Sequence, residues 1–339
     1  MSSSTSLESS PMAAKRDLAR LITGIENGEP AALRTLRAQY ALTGHAHVVG
    51  VTGAPGSGKS TLIAALTRLA RRRGRTVAII SVDPSSPFSG GALLGDRIRM
   101  RDLFEDPGVF IRSMANRGAP GGIARATADV VSAIDAAGYE LIFVETIGAG
   151  QSEVEIARLA DTVVVVEAPG MGDDVQAIKA GILEIADILV VNKADREGAE
   201  RTLSALQAAL EISAPLAAGH HGPAAPTSVA TATTTAERWQ VPVLKTVATE
   251  DVGVADLLDA VERHRHFLGD GRARAAQRME QEVLRRLRDL VWQQVAQHIS
   301  DARLRALAEA CASRQLHPDE AAATLLREVF SPASADSQP

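Results

Sequence analysis

One eight-residue segment restricts the possible folds of this chain more than any other feature of the sequence. Residues 53–60 read Gly-Ala-Pro-Gly-Ser-Gly-Lys-Ser and match the phosphate-loop pattern G-x-x-x-x-G-K-[ST] at every position. An apolar run, residues 47–52, leads into the segment, and a helical pattern follows it. Glycines let such a loop curl with its N–H groups pointing inward, and the following helix adds the positive end of its dipole. The segment therefore predicts a nucleoside triphosphate site at a turn from a strand into a helix.

Each residue type in this loop has an expected part in holding the phosphates. Lys59 is expected to reach the β- and γ-phosphates, and the Ser60 hydroxyl is expected to bind Mg²⁺. The other predicted nucleotide contacts come from Gly53, Ala54, Pro55, Gly56, Ser57, Gly58 and Thr61.

The choice of base is predicted by a second motif, Asn192-Lys193-Ala194-Asp195, which directly follows an apolar run. The Asp195 carboxylate can accept hydrogen bonds from N1–H and the 2-amino group of guanine, and adenine has neither donor. Sites that require a particular hydrogen-bonding group discriminate by about 10⁴ or more. Asn192 is expected to bond N7 of the base or the loop backbone, and the Lys193 stem is expected to cover the ring. The motif predicts GTP rather than ATP.

A third segment, Thr246-Val247-Ala248, follows the apolar run at residues 241–244 and completes the predicted base site. The Ala248 N–H is expected to contact guanine O6. All three residues are therefore predicted to bind the nucleotide.

Acidic residues are expected at the same edge of the sheet as the phosphate loop. Asp83 and Glu145 each end an apolar run, and ligands of parallel sheets bind at the carboxyl ends of the strands. Carboxylate and hydroxyl oxygens suit Mg²⁺, so Asp83, Glu145 and Asp96 are predicted metal ligands beside Ser60.

The predicted catalytic residues are Lys59, Asp83 and Glu145, and no residue is assigned to the attacking water. Gln151 lies further from Gly148 than a water-positioning glutamine is expected to lie. Slow intrinsic hydrolysis, stimulated by a partner, follows as a prediction.

The fold class is predicted by short apolar runs that are continuous rather than alternating, as in strands buried on both faces. These runs span residues 48–51, 77–82, 109–111, 141–144, 163–166, 188–191 and 241–244. Helical patterns lie between them, at residues 59–73, 121–137, 173–185 and 197–210. This alternation predicts an α/β, doubly wound, mostly parallel sheet covered by helices on both faces.

The nucleotide domain is expected to carry helical extensions at both ends and a low-complexity insertion. The predicted regions are a disordered tail (1–11), an N-terminal helical extension (12–45), the nucleotide domain (46–268) with a flexible insertion (213–236), a C-terminal helical arm (269–331) and a second disordered tail (332–339).

Composition narrows the function classes. The net charge of -5 provides no global basic field for nucleic acid or an anionic membrane. No apolar run reaches the roughly 18 residues of a membrane span. The single cysteine, Cys311, excludes an internal disulfide and is expected to be a buried thiol. We therefore expect a cytoplasmic protein without nucleic-acid or membrane partners.

These motifs together resemble the MeaB/ArgK-type G proteins, the P-loop GTPases that serve adenosylcobalamin-dependent acyl-CoA mutases. Besides the phosphate loop, the resemblance is carried by Val82–Ser86 with Leu94–Met100, by Ser113–Gly118, by Val144–Glu153 and by Gly172–Gly181. It implies a SIMIBI-type P-loop NTPase fold and a homodimer formed partly through the C-terminal arm. It also implies a mutase partner whose cofactor loading is gated by GTP and which is protected from inactivation.

The resemblance further assigns residues 172–181 to a switch that relays the nucleotide state to the mutase, with polar positions at Asp173, Gln176 and Lys179. The residues alone favour a different interpretation, the start of an amphipathic helix at residues 173–185 with a solvated face. Val247 stands where the family usually has a small hydroxyl residue.

Three further functions remain open from the sequence. A nickel metallochaperone GTPase would need Cys/His clusters, whereas His220, His221, His264 and His266 have no cysteine beside them and are interpreted as solvated. A GTP-dependent kinase and a nucleotide-gated scaffold are also compatible with the motifs.

Overall fold

The structure is a computed structural model that describes residues 11–83, 100–115, 122–146, 152–170, 180–213, 239–269 and 272–330. The chain divides into two compact units, residues 1–269 and residues 270–339.

The first unit is built on a parallel sheet, which in the described part of the chain has seven strands in the order β3-β2-β4-β1-β5-β6-β7. The strands are β1 (His47–Thr52), β2 (Val77–Asp83), β3 (Val109–Ala115), β4 (Leu141–Thr146), β5 (Thr162–Glu167), β6 (Ile188–Asn192) and β7 (Val243–Thr246). Every strand pairing is parallel. The predicted doubly wound α/β class is therefore confirmed. β7 begins two residues later than its apolar run, because Pro242 has no N–H to add to the ladder.

Helices alternate with these strands. They are α1 (Pro11–Glu26), α2 (Pro30–Gln39), α3 (Lys59–Arg72), α4 (Arg101–Phe104), α5 (Gly122–Ala136), α6 (Ser152–Leu159), α7 (Ala180–Ile185), α8 (Ala199–Ser213) and α9 (Val254–Leu268), with a 3₁₀ turn at Tyr40–Leu42. Only residues 180–185 of the helix predicted at 173–185 are described.

Two apolar layers cover the sheet, because successive side chains of a strand point to opposite faces. Val49, Val51 and Phe143 lie in the layer that contains α3 and α9. The other layer contains Val48, Ile142 and Val144 with residues of α1, α2, α5 and α6. A Cβ on Gly50 would lie 2.3 Å from Ile156 Cγ2, so glycine in β1 allows α6 to approach the sheet closely.

The N-terminal helices belong to the same core as the sheet. Ile22 and Leu36 are buried in the layer that contains α5. Arg112 on β3 forms an ion pair with Glu26 on α1, and Lys15 Nζ donates to the Asp106 carbonyl at 2.5 Å. The N-terminal extension thus packs on the nucleotide domain.

The second unit contains α10 (Arg272–His298), α11 (Asp301–Ala312) and α12 (Pro318–Phe330). Arg303 on α11 forms an ion pair with Glu328 on α12. Cys311 is half-buried rather than buried, so the prediction of a buried thiol is wrong for this chain. No helix in the described ranges has the length and apolar character of a membrane span.

A buried polar chain joins the amino ends of three strands to α9. His47 Nε2 and His264 Nδ1 each lie 2.8 Å from Thr162 Oγ1, and His264 Nε2 lies 3.3 Å from Asp187 Oδ1. One arrangement of protons satisfies all four side chains: each Nε2 carries its hydrogen, and the Thr162 hydroxyl donates to Nδ1 of His264.

The interpretation of His264 as solvated is therefore wrong, since its side chain is 1% exposed, whereas His266 is exposed. His264 continues the helical spacing of Leu257 and Val261, which places it on the buried face of α9.

Acid is expected to destabilise the fold through His47. Burial, the largest cause, lowers the pKa of His47 from 6.5 to about 4, while Asp161 raises it and Arg265, His264 and Arg75 lower it. At a pH between these two pKa values, His47 is protonated in the unfolded chain but not in the native state. The free energy of unfolding should therefore be unaffected by this group above about pH 7 and fall by up to about 3 kcal/mol as the pH falls from about 6.5 to about 4.

Urea unfolding at about pH 7.5 and about pH 5 measures this loss. His47→Gln keeps an N–H for Thr162 but cannot titrate, so it should lose less stability on acidification. The exposed His266→Gln is the matched control and should behave like the unsubstituted chain. Equal acid sensitivity in all three proteins would contradict the role given to His47.

Candidate functional site

The carboxyl ends of the strands gather the predicted site residues at one edge of the sheet. The phosphate loop follows β1, Glu145 lies at the end of β4, and Asn192 ends β6. Thr246 ends β7 and pairs with Asn192 in the strand register. The arrangement agrees with the rule that open parallel sheets bind ligands at this edge.

Glycines shape the phosphate loop because side chains have no room there. Gly53 has φ +131°, and a Cβ on it would lie 2.0 Å from the Val166 carbonyl oxygen. Gly58 precedes α3 with φ +94°, and its Cβ would lie 2.4 Å from Asn192 Nδ2. The loop therefore packs directly against β5 and against the base-reading motif.

The Lys59 ammonium group lies across the phosphate loop. Its side chain is 6% exposed, and Nζ donates to the carbonyl oxygens of Gly53 at 2.9 Å and Ala54 at 3.0 Å. Lys59 is the first residue of α3, so the cation stands at the positive end of that helix. This combination of charge and helix end suits an anion.

Two of the predicted metal ligands are in contact. Ser60 Oγ lies 2.6 Å from Glu145 Oε1, and Glu145 is 1% exposed. Asp83 is the last residue of β2, at the same edge of the sheet, and its side chain is not described. The donor set of a hydroxyl and a carboxylate fits Mg²⁺, which prefers hard oxygen ligands.

The Asn192 side chain joins three segments of the site. Its Nδ2 donates to the Ser57 carbonyl at 2.9 Å. Its Oδ1 accepts from the Thr246 hydroxyl at 3.0 Å and from the Ala248 N–H at 3.2 Å. Of the two partners expected for Asn192, the structure has the loop backbone. The contact predicted between the Ala248 N–H and guanine O6 would have to share or replace the bond to Asn192.

Lys193 and Asp195 differ in their contacts within the base-reading motif. Lys193 has a left-handed backbone, φ +57°, and its Nζ donates to the Gly56 carbonyl at 2.8 Å. Asp195 is exposed, and within the described residues no hydrogen bond or ion pair engages its carboxylate. Val247 is buried, and its N–H donates to the Val252 carbonyl at 3.0 Å, which closes the turn after β7.

Two hydrogen bonds between these segments were not predicted from the sequence. They join Lys193 to Gly56 and Thr246 to Asn192. The register of β6 beside β7 places Thr246 opposite Asn192, and the sequence does not show this register. Asp96, Gln151, Asp173, Gln176 and Lys179 lie outside the described residues.

A parallel sheet with a complete phosphate loop, joined through Asn192 to a guanine-type base motif, defines a P-loop GTPase. The family model described as methylmalonyl-CoA mutase-associated GTPase MeaB matches residues 18–304, and the chain belongs to this family. The resemblance inferred from the motifs is thereby confirmed.

Similar proteins agree with this assignment. A provisionally named GTPase of Pyrococcus abyssi is 44% identical over 319 residues, 93% of this chain and 93% of that protein. The mitochondrial methylmalonic aciduria type A homolog of Caenorhabditis elegans is 40% identical over 148 residues, 43% of this chain and 37% of that protein. The crystal structure of a LAO/AO transport system kinase superposes with a TM-score of 0.67 and 26% identity, covering 97% of this chain and 99% of that one.

A side chain at Gly58 should weaken nucleotide binding, because it would displace the Asn192 amide. Gly58→Ala is expected to lower affinity for a fluorescent GDP analogue at least about tenfold. Gly74→Ala is the matched control, since Gly74 has φ +80° but no atom within 4 Å of its Cβ position.

Both substitutions should lower the free energy of unfolding, by about 1 kcal/mol or more, through left-handed backbone strain. Only Gly58→Ala should also lose affinity. If the two variants bound the nucleotide equally well, the close packing of Gly58 against Asn192 would have no part in binding.

Proposed function

We propose that this chain is a cytoplasmic GTP-hydrolysing chaperone of an adenosylcobalamin-dependent acyl-CoA mutase. In this function it gates loading of the cofactor and protects the mutase from inactivation. The observation that carries the proposal is the match to the mutase-associated family over residues 18–304, which extends beyond the nucleotide domain into the second unit. The name of the C. elegans relative refers to a disorder of methylmalonate metabolism and supports the same partner.

In the proposed complex, GTP lies between the phosphate loop and the base-reading segments. The exposed Asp195 carboxylate accepts two hydrogen bonds from guanine, and the Lys193 stem covers the ring. Asn192 does not contact the base in this complex, because its Nδ2 and Oδ1 are already bonded to the protein at Ser57, Thr246 and Ala248. It holds the phosphate and base sites at a fixed separation.

Mg²⁺ is the metal that the site would hold with the nucleotide. Ser60 and Glu145, which are in contact, would hold the ion together with Asp83 and Asp96. When bound, the ion supplies neutralisation of the charge that develops on the phosphate oxygens.

The same contacts provide a way for the chain to sense the γ-phosphate. A phosphate offers Lys59 Nζ stronger acceptors than the neutral carbonyl oxygens of Gly53 and Ala54. The Ser60 hydroxyl, which lies 2.6 Å from Glu145, would likewise bind the magnesium ion of the bound nucleotide. Glu145 lies at the end of β4, so a change in its contact with Ser60 acts on the segment that follows this strand. We assign to Asp173, Gln176 and Lys179 the task of signalling the nucleotide state to the mutase.

Neither the metallochaperone function nor the kinase function is favoured by a specific observation. Within the described residues, no group of three or more His, Cys, Asp and Glu side chains is arranged to hold a metal ion, as a metallochaperone would need. The LAO/AO transport system kinase described above is called a kinase, but that name belongs to the other protein. Release of the γ-phosphate as inorganic phosphate, without labelled protein, would separate hydrolysis from phosphorylation.

We also propose that the chain forms a homodimer through α10. Seven apolar side chains of this helix are between 44% and 65% exposed, and we name them the α10 stripe: Met279, Val283, Leu284, Leu287, Leu290, Val291 and Trp292. So many exposed apolar side chains on one helix are typical of an interface rather than of a solvated helix. A second copy of the chain would cover it with the same residues.

A charge in the α10 stripe should therefore separate the two subunits. The unsubstituted chain is expected to have the mass of two copies by light scattering, and Leu287→Glu the mass of one. Ile212→Glu is the control, because Ile212 is 75% exposed on α8, outside the stripe. A single-copy mass for the unsubstituted chain at all concentrations would contradict the proposed dimer.

The mutase should accelerate hydrolysis. The GTPase rate of the chain is measured with and without a purified adenosylcobalamin-dependent acyl-CoA mutase from the same source. We expect stimulation of about tenfold or more, since the isolated site has no assigned water-positioning residue.

Asp195→Asn provides a control against contaminating GTPases in the mutase preparation. Xanthine carries a carbonyl where guanine carries the 2-amino group, and an asparagine amide can donate to it. The variant should therefore prefer XTP, and the mutase should stimulate its XTP hydrolysis. Without stimulation, and without a complex in a non-hydrolysable GTP analogue, the mutase proposal fails while the GTPase remains.

A further inference from the structure

Two buried hydroxyl groups join the end of β4 to the start of the phosphate loop. Thr146 Oγ1 lies 3.0 Å from Thr52 Oγ1, and the side chains are 1% and 0% exposed. Thr52 ends β1 directly before Gly53, and Thr146 directly follows Glu145. The hydrogen bond therefore connects two segments that border the phosphate site.

This pair complements the contact of Glu145 on the other face of the sheet. Side chains alternate along a strand, so Glu145 shares the face of Phe143, where α3 packs. There its Oε1 lies 2.6 Å from Ser60 Oγ. Thr146 points to the opposite face. The last two residues of β4 thus contact Thr52, which directly precedes the phosphate loop, and Ser60, which is the last residue of the loop.

Packing alone does not account for threonine at these two positions. The neighbouring side chains on the same face of β1 and β4 are apolar: Val48, Ile142 and Val144. Valine has the shape of threonine without the hydroxyl, whose burial costs free energy unless it is hydrogen-bonded. What the two hydroxyls add is a directional bond that fixes the end of β4 relative to the loop.

We propose that Thr52 and Thr146 are positioning residues for GTP hydrolysis. Their shared hydrogen bond holds the end of β4, and with it Glu145, at a fixed place beside the phosphates. Displacements of about 1 Å in such a site can lower the rate up to about 10²-fold. Nucleotide binding itself depends on Lys59, the loop backbone and Asp195. The inference rests on GTP hydrolysis and not on the mutase partner.

Substitution by valine tests the role of the hydroxyls. Thr52→Val, Thr146→Val and the double variant should each have a kcat lower by about tenfold, with KM for GTP and affinity for GDP within about twofold of the unsubstituted chain. The double variant should be no slower than either single variant, since one bond is lost in all three. Thr146→Ser keeps the hydroxyl and should recover most of kcat.

Thr67→Val is the matched control for loss of a buried hydroxyl. Thr67 is 0% exposed on α3, and within the described residues its Oγ1 has no hydrogen-bond partner. The kcat of Thr67→Val should equal that of the unsubstituted chain. The proposal is overturned if the double variant has the kcat of the unsubstituted chain, if Thr67→Val slows hydrolysis as much, or if Thr146→Ser fails to recover activity.

Discussion

The amide of Asn192 is the contact on which the nucleotide site depends. The segments proposed to bind the phosphates and the base lie far apart in the chain, and this 2% exposed side chain bonds to both. It forms one bond with the loop at Ser57 and two with the end of β7 and the turn after it, at Thr246 and Ala248. The absence of a side chain at Gly58 allows this approach. These protein contacts therefore set the separation between the proposed phosphate and base sites.

A second polar cluster holds the amino ends of the strands, opposite the carboxyl ends where the proposed nucleotide site lies. His47 starts β1, Thr162 starts β5, and Asp187 directly precedes β6. The other ends of β1 and β6 carry the phosphate loop and Asn192. Asp187 Oδ2 also accepts the Val163 N–H at 2.8 Å. Buried polar groups that are all hydrogen-bonded hold a single arrangement. The cluster therefore fixes the register of these strands at their amino ends, away from the proposed nucleotide site.

The strands and the phosphate loop could be predicted because their signals are local. Buried parallel strands are continuous apolar runs, and the loop's glycines and lysine are consecutive. The contacts between segments could not be predicted in this way. The bond of Thr246 to Asn192 depends on strand register, and that of Thr146 to Thr52 depends on β4 lying beside β1. The burial of His264, by contrast, has a local signal in the sequence, the helical spacing from Leu257.

The fixed position of α3 decides which element can respond to the nucleotide. Its inner face is fully buried at Leu62, Ile63 and Leu66. At its carboxyl end, Arg71 pairs with Asp106 and Arg73 with Asp259 on α9. Each such pair contributes little by itself, but both resist sliding of a helix that is already packed. We therefore propose that a change at the phosphates acts through the contact of Ser60 with Glu145, which a ligand can replace, while the buried bond of Thr52 to Thr146 stays in place.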